Sequence, residues 1–298
     1  MSTRQEMMAR NEETTDLLII GGGITGAGAA RDAIQRGLRV TLVEQNDLAS
    51  GTSSRSSKLV HGGLRYLEQR QFSLVFEAVT ERRILMDIAP HLVNPMGFVF
   101  PVYNASRRGV FTVNLGMWVY DGLSLFRSPK IHRNLSPKEV AEAVPQLKMD
   151  GLKGAPLYYD CSTDDARLTL ETTLDAAGRG ARIMTYTKVV GLLRGPKGRI
   201  VGARVRDHFT GEESNIKAGA VINATGPWTD RTRALGVGGT NRLRPTKGIH
   251  IVIDAARLSI PHAVVSFHPK DGRVLFAIPW GDRTYIGTTD TDFSDDPS

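Results

Sequence analysis

The apolar positions of this chain fall into two registers, and the changes between them mark out its elements. Leu17 to Ile20 is a continuous apolar run of strand length, and Val40 to Val43 is a second. Between them Ala27 to Gln35 reads as a helix, stopped at Gly37. From Leu64 a helical period runs through Leu67, Phe72, Val75, Phe76 and Val79 to Ile84 and Leu85. It predicts one long helix or two, ending before Pro90. Met96 to Val102 reads as a strand. Val110 to Phe126 is apolar and aromatic with basic residues on both flanks. Two structures fit it: a helix packed in a second domain, and an amphipathic helix lying on a membrane. Ser136-Pro-Lys-Glu139 predicts a helix start with a capping box, running to Val144 before Pro145.

The second half repeats the strand–helix alternation and then abandons it. Ser162 to Asp165 opens a helix, on which Leu170, Leu174 and Ala177 recur at i, i+4 and i+7. Gly178 and Gly180 close it. Arg182 to Thr187 reads as a strand. Val189–Leu193 and Ile200–Val205 pair as a hairpin across Gly195-Pro-Lys-Gly198. Ala220 to Trp228 reads as a buried strand ending in a glycine turn. After it come short apolar runs at His250–Ile253, Val264–Phe267, Val274–Ile278 and Tyr285–Gly287, the pattern of an antiparallel sheet. The fold class is therefore α/β. A discontinuous, Rossmann-like domain is expected from 16–90 and 160–240. A second, mainly antiparallel-sheet domain is expected from 91–159 and 241–298, and residues 1–15 read as a loose polar tail.

The join between the first strand and helix carries chemistry. Gly21, Gly23 and Gly26 form G-x-G-x-x-G, and the second strand ends on Glu44. Gly21 permits the tight turn, Gly23 lets backbone approach a pyrophosphate, and Gly26 lets the helix pack on the strand. The helix start holds phosphates through its free N–H groups and dipole. The Glu44 carboxylate can accept from a ribose hydroxyl, which favours FAD or NAD over NADP. The alternative is a glycine-rich turn in an ordinary βαβ unit. Beyond Glu44 a hydroxyl-rich loop supplies Thr52, Ser53, Ser54, Ser57 and Lys58 as donors for phosphate or a flavin ring, or is a plain surface loop. His61-Gly62-Gly63 and Arg65 follow, the two glycines permitting close approach to a flat ligand.

Composition narrows this picture. The 298 residues are 41% hydrophobic and 23% charged, values of a soluble globular protein. Lys and Arg exceed Asp and Glu by 38 − 31 = 7. Basic groups gather at Arg107–Arg108, at Arg127, Lys130 and Arg133, and from Arg231 to Lys247. They suit an anionic substrate or membrane surface. No nucleic-acid module accompanies them. Cys161 is the only cysteine, which fits a reducing, cytoplasmic setting and reads as a small buried residue. The first residues lack a signal-peptide core, and no apolar run reaches the ~18 residues of a spanning helix.

Eight stretches together carry a family resemblance. They are Gly21–Gly26, Thr52–Glu68, Ala89-Pro-His91, Asp160–Arg167, Asn223-Ala-Thr-Gly-Pro-Trp228, Lys247–His250 and Ile278–Trp280 with Ile286–Asp290. The chain resembles the aerobic, FAD-dependent glycerol-3-phosphate dehydrogenases from about 16 to 292, most specifically over Ser53–Glu68. The resemblance implies FAD in the first domain and a substrate domain over the flavin face. It implies oxidation of sn-glycerol 3-phosphate to dihydroxyacetone phosphate, with electrons passed to a membrane quinone at the inner face of the cytoplasmic membrane. It leaves a homo-oligomer open. Family members are longer, so the last cofactor-domain strand and helix, a substrate-phosphate arginine and a C-terminal domain are expected beyond Ser298.

Site roles follow from chemistry and resemblance together. His61 is the expected base, since an imidazole suits proton acceptance at neutral pH; His250 is the competing base. Arg65, one helical turn beyond His61, is expected to bind phosphate or a polarised oxygen. Lys247 offers a second positive charge. Gly62 and Gly63 approach the flavin, Val189 offers backbone to the adenine, and Ala224, Thr225 and Gly226 pass beneath the cofactor. No metal is called for. The competing readings are an FAD oxidase of a 2-hydroxy acid or amine, an NAD enzyme, and an inactive truncated fragment.

Overall fold

A computed structural model describes residues 14–106, 108–125, 128–236, 238, 240–268 and 272–297, with the side chains of Arg65 and Glu68 excepted. The first elements are β1 (Thr15–Ile20), α1 (Ile24–Gln35), β2 (Val40–Val43) and β3 (Leu59–Val60). Then come α2 (Leu64–Glu68), α3 (Phe72–Ile88), β4 (Asn94–Val99), β5 (Val102–Tyr103) and α4 (Val110–Leu123). The middle holds β6 (Arg133–Leu135), α5 (Pro137–Ala143), β7 (Leu152–Ser162), α6 (Asp165–Gly178) and β8 (Arg182–Met184). β9 (Thr187–Arg194), β10 (Ile200–Asp207), β11 (Glu213–Asn223) and α7 (Thr229–Ala234) follow. The last strands are β12 (Thr246–Lys247), β13 (His250–Asp254), β14 (Ala263–Phe267), β15 (Val274–Trp280), β16 (Arg283–Gly287) and β17 (Thr291–Asp292).

The chain divides into two compact units. The first comprises residues up to 56, 164–245 and 292–298. Among its described residues six strands run in the order β8-β2-β1-β11-β10-β9. The first four are mutually parallel, and β10 is antiparallel to both β11 and β9. Period-two alternation splits β1 between two cores. Leu17 and Ile19 pack with Ala30 and Ala33 of α1 and Ala176 of α6. Leu18 and Ile20 face Met184, Ala203, Val205 and Ile216 on the other side. Alanines on α1 let it lie close to the sheet.

The second unit comprises 57–163 and 246–291. Its sheet runs β13-β16-β15-β14-β4-β7-β3, with β5 and β6 also paired to β7. Every pair is antiparallel except β14 with β4. One core gathers Val75 and Val79 of α3, Met117 and Tyr120 of α4, and Phe98, Tyr158 and Ile278 of the sheet. Phe98 stacks on Tyr158 at 5.2 Å between ring centroids.

Several expectations shift. The stretch 57–90, expected with the first domain, lies in the second unit. β3 pairs with β7 (Val60 opposite Cys161), and α3 delivers Val75 and Val79 to the second unit's core. The helical period from Leu64 is two helices, broken where Arg70 takes φ +57. The strand expected to Val102 breaks after Val99. On α6 the buried face is Leu168, Thr169, Thr173 and Ala176, whereas Leu170 and Leu174 are exposed. Small residues face inward there because α6 lies close against α1. The strand into Asn223 begins at Glu213 and leaves Ile222 exposed. The capping box at Ser136 and Glu139 forms with both hydrogen bonds. α4 buries Met117, Tyr120 and Asp121 while exposing Phe111, Leu115 and Trp118. The expected tail, Arg107, Phe126 and Arg127 lie outside the described residues, apart from Thr14 and Thr15 at the tail's end.

Candidate functional site

The first unit holds a cleft of about 910 Å³ at the carboxyl ends of β1 and β2. Gly21, Gly23, Glu44, Thr52, Ser53, Val189, Ala224, Thr225 and Gly226, all expected site residues, line it. The glycines are required by space. A Cβ on Gly21 would stand 2.5 Å from the Ala224 carbonyl oxygen, and the residue has φ +113. Gly26 does not line the cleft but lies beneath it, against Gly21. Ser53 Oγ accepts from the Ile24 N–H at 2.9 Å, so the hydroxyl-rich loop reaches the start of α1. Glu44 accepts from Gly22 N–H at 2.7 Å through Oε2 and from Asn46 N–H at 2.8 Å through Oε1. Each carboxylate oxygen keeps a second lone pair for a ligand hydroxyl. Asn223 braces the far wall, accepting from Thr225 Oγ1 at 2.7 Å. Ser54 turns away and donates to the Gly51 carbonyl.

Three basic lining residues were not among the expected site residues: Arg55, Lys188 and Arg231. Arg55 stands inside the hydroxyl-rich loop and Lys188 beside Val189, so adjacency was the available signal. Arg231 pairs with Asp296 at 2.9 Å, which no local pattern announces. Set against Glu44 and Asp296 of the same lining they leave a small excess of positive charge, which with the amino end of α1 suits an anionic nucleotide. Trp228 also lines it, against Gly51.

The remaining expected residues belong to the second unit. His61 is exposed, and its Nδ1 accepts from the Gly63 N–H at 3.0 Å. A neutral His61 in this bond therefore carries its proton on Nε2. Gly62 N–H donates to Asp160 Oδ1 at 3.0 Å, and Gly63 takes φ +71. His61 precedes α2 rather than lying on it, so the helical spacing expected to align it with Arg65 does not apply. The Arg65 side chain lies outside the described part.

Ser57 Oγ is 2.9 Å from His250 Nε2. Lys58 is buried at φ +58, its Nζ 5.8 Å from the Trp280 ring centroid. Burial first, and then the charge of Lys58, lower the His250 pKa below its ordinary value. His250, expected as the competing base, is thus a half-buried ring hydrogen-bonded to Ser57. Lys247 is exposed on β12. Among the described residues, no cluster of His, Cys, Asp and Glu could hold a metal ion, and no helix is long and apolar enough to cross a membrane.

The FAD dependent oxidoreductase family model (DAO) matches residues 16–298. An aerobic glycerol-3-phosphate dehydrogenase of Staphylococcus haemolyticus (strain JCSC1435) is 45% identical over 295 residues, covering 98% of this chain and 53% of the relative. Its counterpart in Staphylococcus aureus (strain USA300) is 45% identical over 283 residues, covering 95% and 51%. The crystal structure of the glycerol-3-phosphate dehydrogenase from Bacillus halodurans complexed with FAD superposes with a TM-score of 0.80 at 37% identity, covering 99% of this chain and 51% of that one. The chain thus spans about half the length of the relatives it matches. With the glycine turn, the terminal acid and the weakly positive cleft in one unit and a family match over nearly the whole sequence, this chain belongs to the FAD dependent oxidoreductases.

Proposed function

We propose that the chain is the FAD-binding and part of the substrate-binding portion of an enzyme that oxidises sn-glycerol 3-phosphate to dihydroxyacetone phosphate. The observation that carries this reading is the fit of the first unit's cleft to a dinucleotide. Its floor is glycine where a side chain would collide with backbone, and its lining carries a small excess of positive charge. The N–H groups at the start of α1, with Gly21 and Gly23, would hold the diphosphate, and Glu44 the ribose. Val189 would meet the adenine, and Ala224 to Gly226 would pass beneath the cofactor. When bound, FAD supplies the acceptor for the hydride leaving the secondary carbon of the substrate.

The protein must then take the hydroxyl proton and hold the phosphate. His61 is assigned to the proton. Its Nδ1 is engaged by Gly63, so proton acceptance requires that N–H to let go. A second base is favoured by a separate observation: His250 is held neutral by burial and hydrogen-bonded to Ser57. Arg65 and Lys247 are assigned to the phosphate. Electrons are proposed to pass to a membrane quinone. The exposed Phe111, Leu115 and Trp118 of α4, with the exposed Arg108 and Lys130 nearby in sequence, are the proposed membrane contact at the inner face of the cytoplasmic membrane.

The test is spectroscopic. The purified chain with added FAD should show bound-flavin absorbance near ~450 nm. Anaerobic sn-glycerol 3-phosphate should then bleach it. A folded chain that takes up no FAD would overturn the cofactor assignment. Bleaching by a 2-hydroxy acid or an amine, but not by glycerol 3-phosphate, would overturn the substrate.

A further inference from the structure

The second unit contains a buried polar set that the roles above leave unused. Asp160, on β7, is 2% exposed, and its Oδ1 receives three donors. They are the Gly62 N–H at 3.0 Å, the Tyr120 hydroxyl at 2.7 Å and Nη1 of Arg82. Arg82 lies on α3 and is 1% exposed. Its Nη1 also reaches the Tyr120 oxygen at 3.0 Å and the Tyr159 carbonyl at 3.3 Å, and its Nη2 donates to Ser128 Oγ at 2.8 Å. Tyr120 comes from α4. Two helices and a strand thus converge on one carboxylate oxygen, and that oxygen holds a single loop amide.

A buried ion pair is a poor device for stability, because desolvation consumes most of its attraction and apolar replacements often do as well. What this set does distinctively is fix a peptide plane. The Gly62 amide shares its plane with the carbonyl of His61, so holding that N–H sets the main chain of the histidine. The next amide, Gly63 N–H, then holds the ring through Nδ1. The close approach of the turn to the set leaves room for glycine alone at position 62. A Cβ there would lie 2.1 Å from the Tyr120 hydroxyl oxygen and 2.4 Å from Val79 Cγ1. Burial and the neighbouring Asp160 also drive the Tyr120 pKa well above its ordinary value, so its hydroxyl stays a donor at any working pH.

We infer that Asp160, pinned by Arg82 and Tyr120, is a positioning residue that clamps the His61-Gly62-Gly63 turn and so sets where the His61 imidazole stands. The clamp rests on the assignment of His61 to the reaction, but its geometry is tested separately from that chemistry.

The first measurement uses the cofactor-free chain labelled with ¹⁵N. Amide exchange is compared in the wild type, Asp160→Asn and Tyr120→Phe. The last variant keeps the ring in its core and serves if the first fails to fold. The Gly62 amide should exchange about 10-fold faster or more in the variants, as expected for weakening a hydrogen bond to a charged acceptor. Amides of Phe98 in β4 and Leu157 in β7 should be unchanged. The second measurement uses FAD-loaded protein. The rate of flavin reduction by sn-glycerol 3-phosphate should fall about 10-fold to 100-fold, as for a displaced catalytic group, while KM changes less than twofold. Unchanged Gly62 exchange, or faster exchange spread through β4 and β7, would overturn the clamp. A wild type that glycerol 3-phosphate does not reduce would instead refute the proposed substrate, and the exchange result would still decide the clamp.

Discussion

Gly26 and Gly21 touch: a Cβ built on Gly26 would stand 1.9 Å from the Gly21 carbonyl oxygen. That distance ties the first turn of α1 to the end of β1 through backbone alone, and no flexible side chain is there to give way. Gly26→Ala should therefore destabilise the chain by about 1–3 kcal/mol or more, the usual cost of overpacking. Gly28, two residues on in the same helix, has nothing within 4 Å of its Cβ position. Gly28→Ala should stabilise by about 0.5–1 kcal/mol through helix propensity. Urea melts of the two variants should move in opposite directions, and a tolerated Gly26→Ala would show that the close approach is not needed.

Glu44 is held from two sides, by the amides of Gly22 and Asn46. Glu44→Ala leaves both N–H groups without that acceptor and removes the proposed ribose partner. The expected result is a cofactor-free chain weaker by about 1–3 kcal/mol and an FAD affinity lower by about 10-fold or more. Titration of FAD by fluorescence quenching checks the affinity, and thermal melts without FAD check the stability. A variant with full stability and full affinity would remove Glu44 from both roles.

These two sites also show what the sequence could carry. β1, α1, β2 and Glu44 were legible because local rules agree there: an apolar run, glycines at fixed offsets, then a helix and a terminal acid. The Ser136 capping box was legible for the same reason. The membership of Ser57 to Ile88 was not. It depends on β3 pairing with β7, about a hundred residues away in the chain, which no local pattern encodes. The buried face of α6 was misread because apolar spacing favours Leu170 and Leu174. Close packing against α1 selects Thr169, Thr173 and Ala176 instead, placing small residues where two backbones approach. Arg82, Tyr120 and Asp160 looked like ordinary helix and strand residues. Their convergence exists only in the folded unit.

Cys161 sits on β7 beside Asp160, fully buried, and its thiol pKa is pushed up to about 12, chiefly by burial. A thiol so held offers almost no thiolate at neutral pH. The folded chain should leave a disulfide reagent such as dithionitrobenzoate unreacted at pH 8, with one equivalent consumed after denaturation. Rapid modification of the native chain would contradict this burial.

His132 and Asp121 form a second buried pair. Nδ1 of the ring lies 2.6 Å from Asp121 Oδ2, Nε2 lies 2.8 Å from Asn114 Oδ1, and Trp118 packs edge-on at 4.8 Å between centroids. The buried ring is thus hydrogen-bonded at both nitrogens, to a carboxylate and to a side-chain amide. Asp121→Ala would leave a buried ring nitrogen without its partner and should cost about 1–3 kcal/mol. Double replacement with His132→Leu should recover much of the loss, because it removes the stranded polar group together with its partner. A double mutant no more stable than Asp121→Ala would refute the coupling.

His250 gives the chain a pH dependence whose sign follows from its surroundings. Burial, reinforced by the charge of Lys58, lowers its pKa in the folded state below the ordinary ~6.5 that it regains on unfolding. His262 is lowered in the same way, first by burial and then by Arg133 and Lys130. Between the folded and unfolded values the unfolded chain binds more protons, so stability rises with pH across that window. The contribution is complete above about pH 6.5 and is lost as the pH falls through the folded-state values. Urea midpoints measured from pH 8 to pH 5 should therefore decline on the acid side of about pH 6.5. His250→Gln keeps a polar group near Ser57 but cannot titrate, and should flatten part of that decline. A wild-type midpoint independent of pH over this range would mean that neither ring is held neutral by the fold.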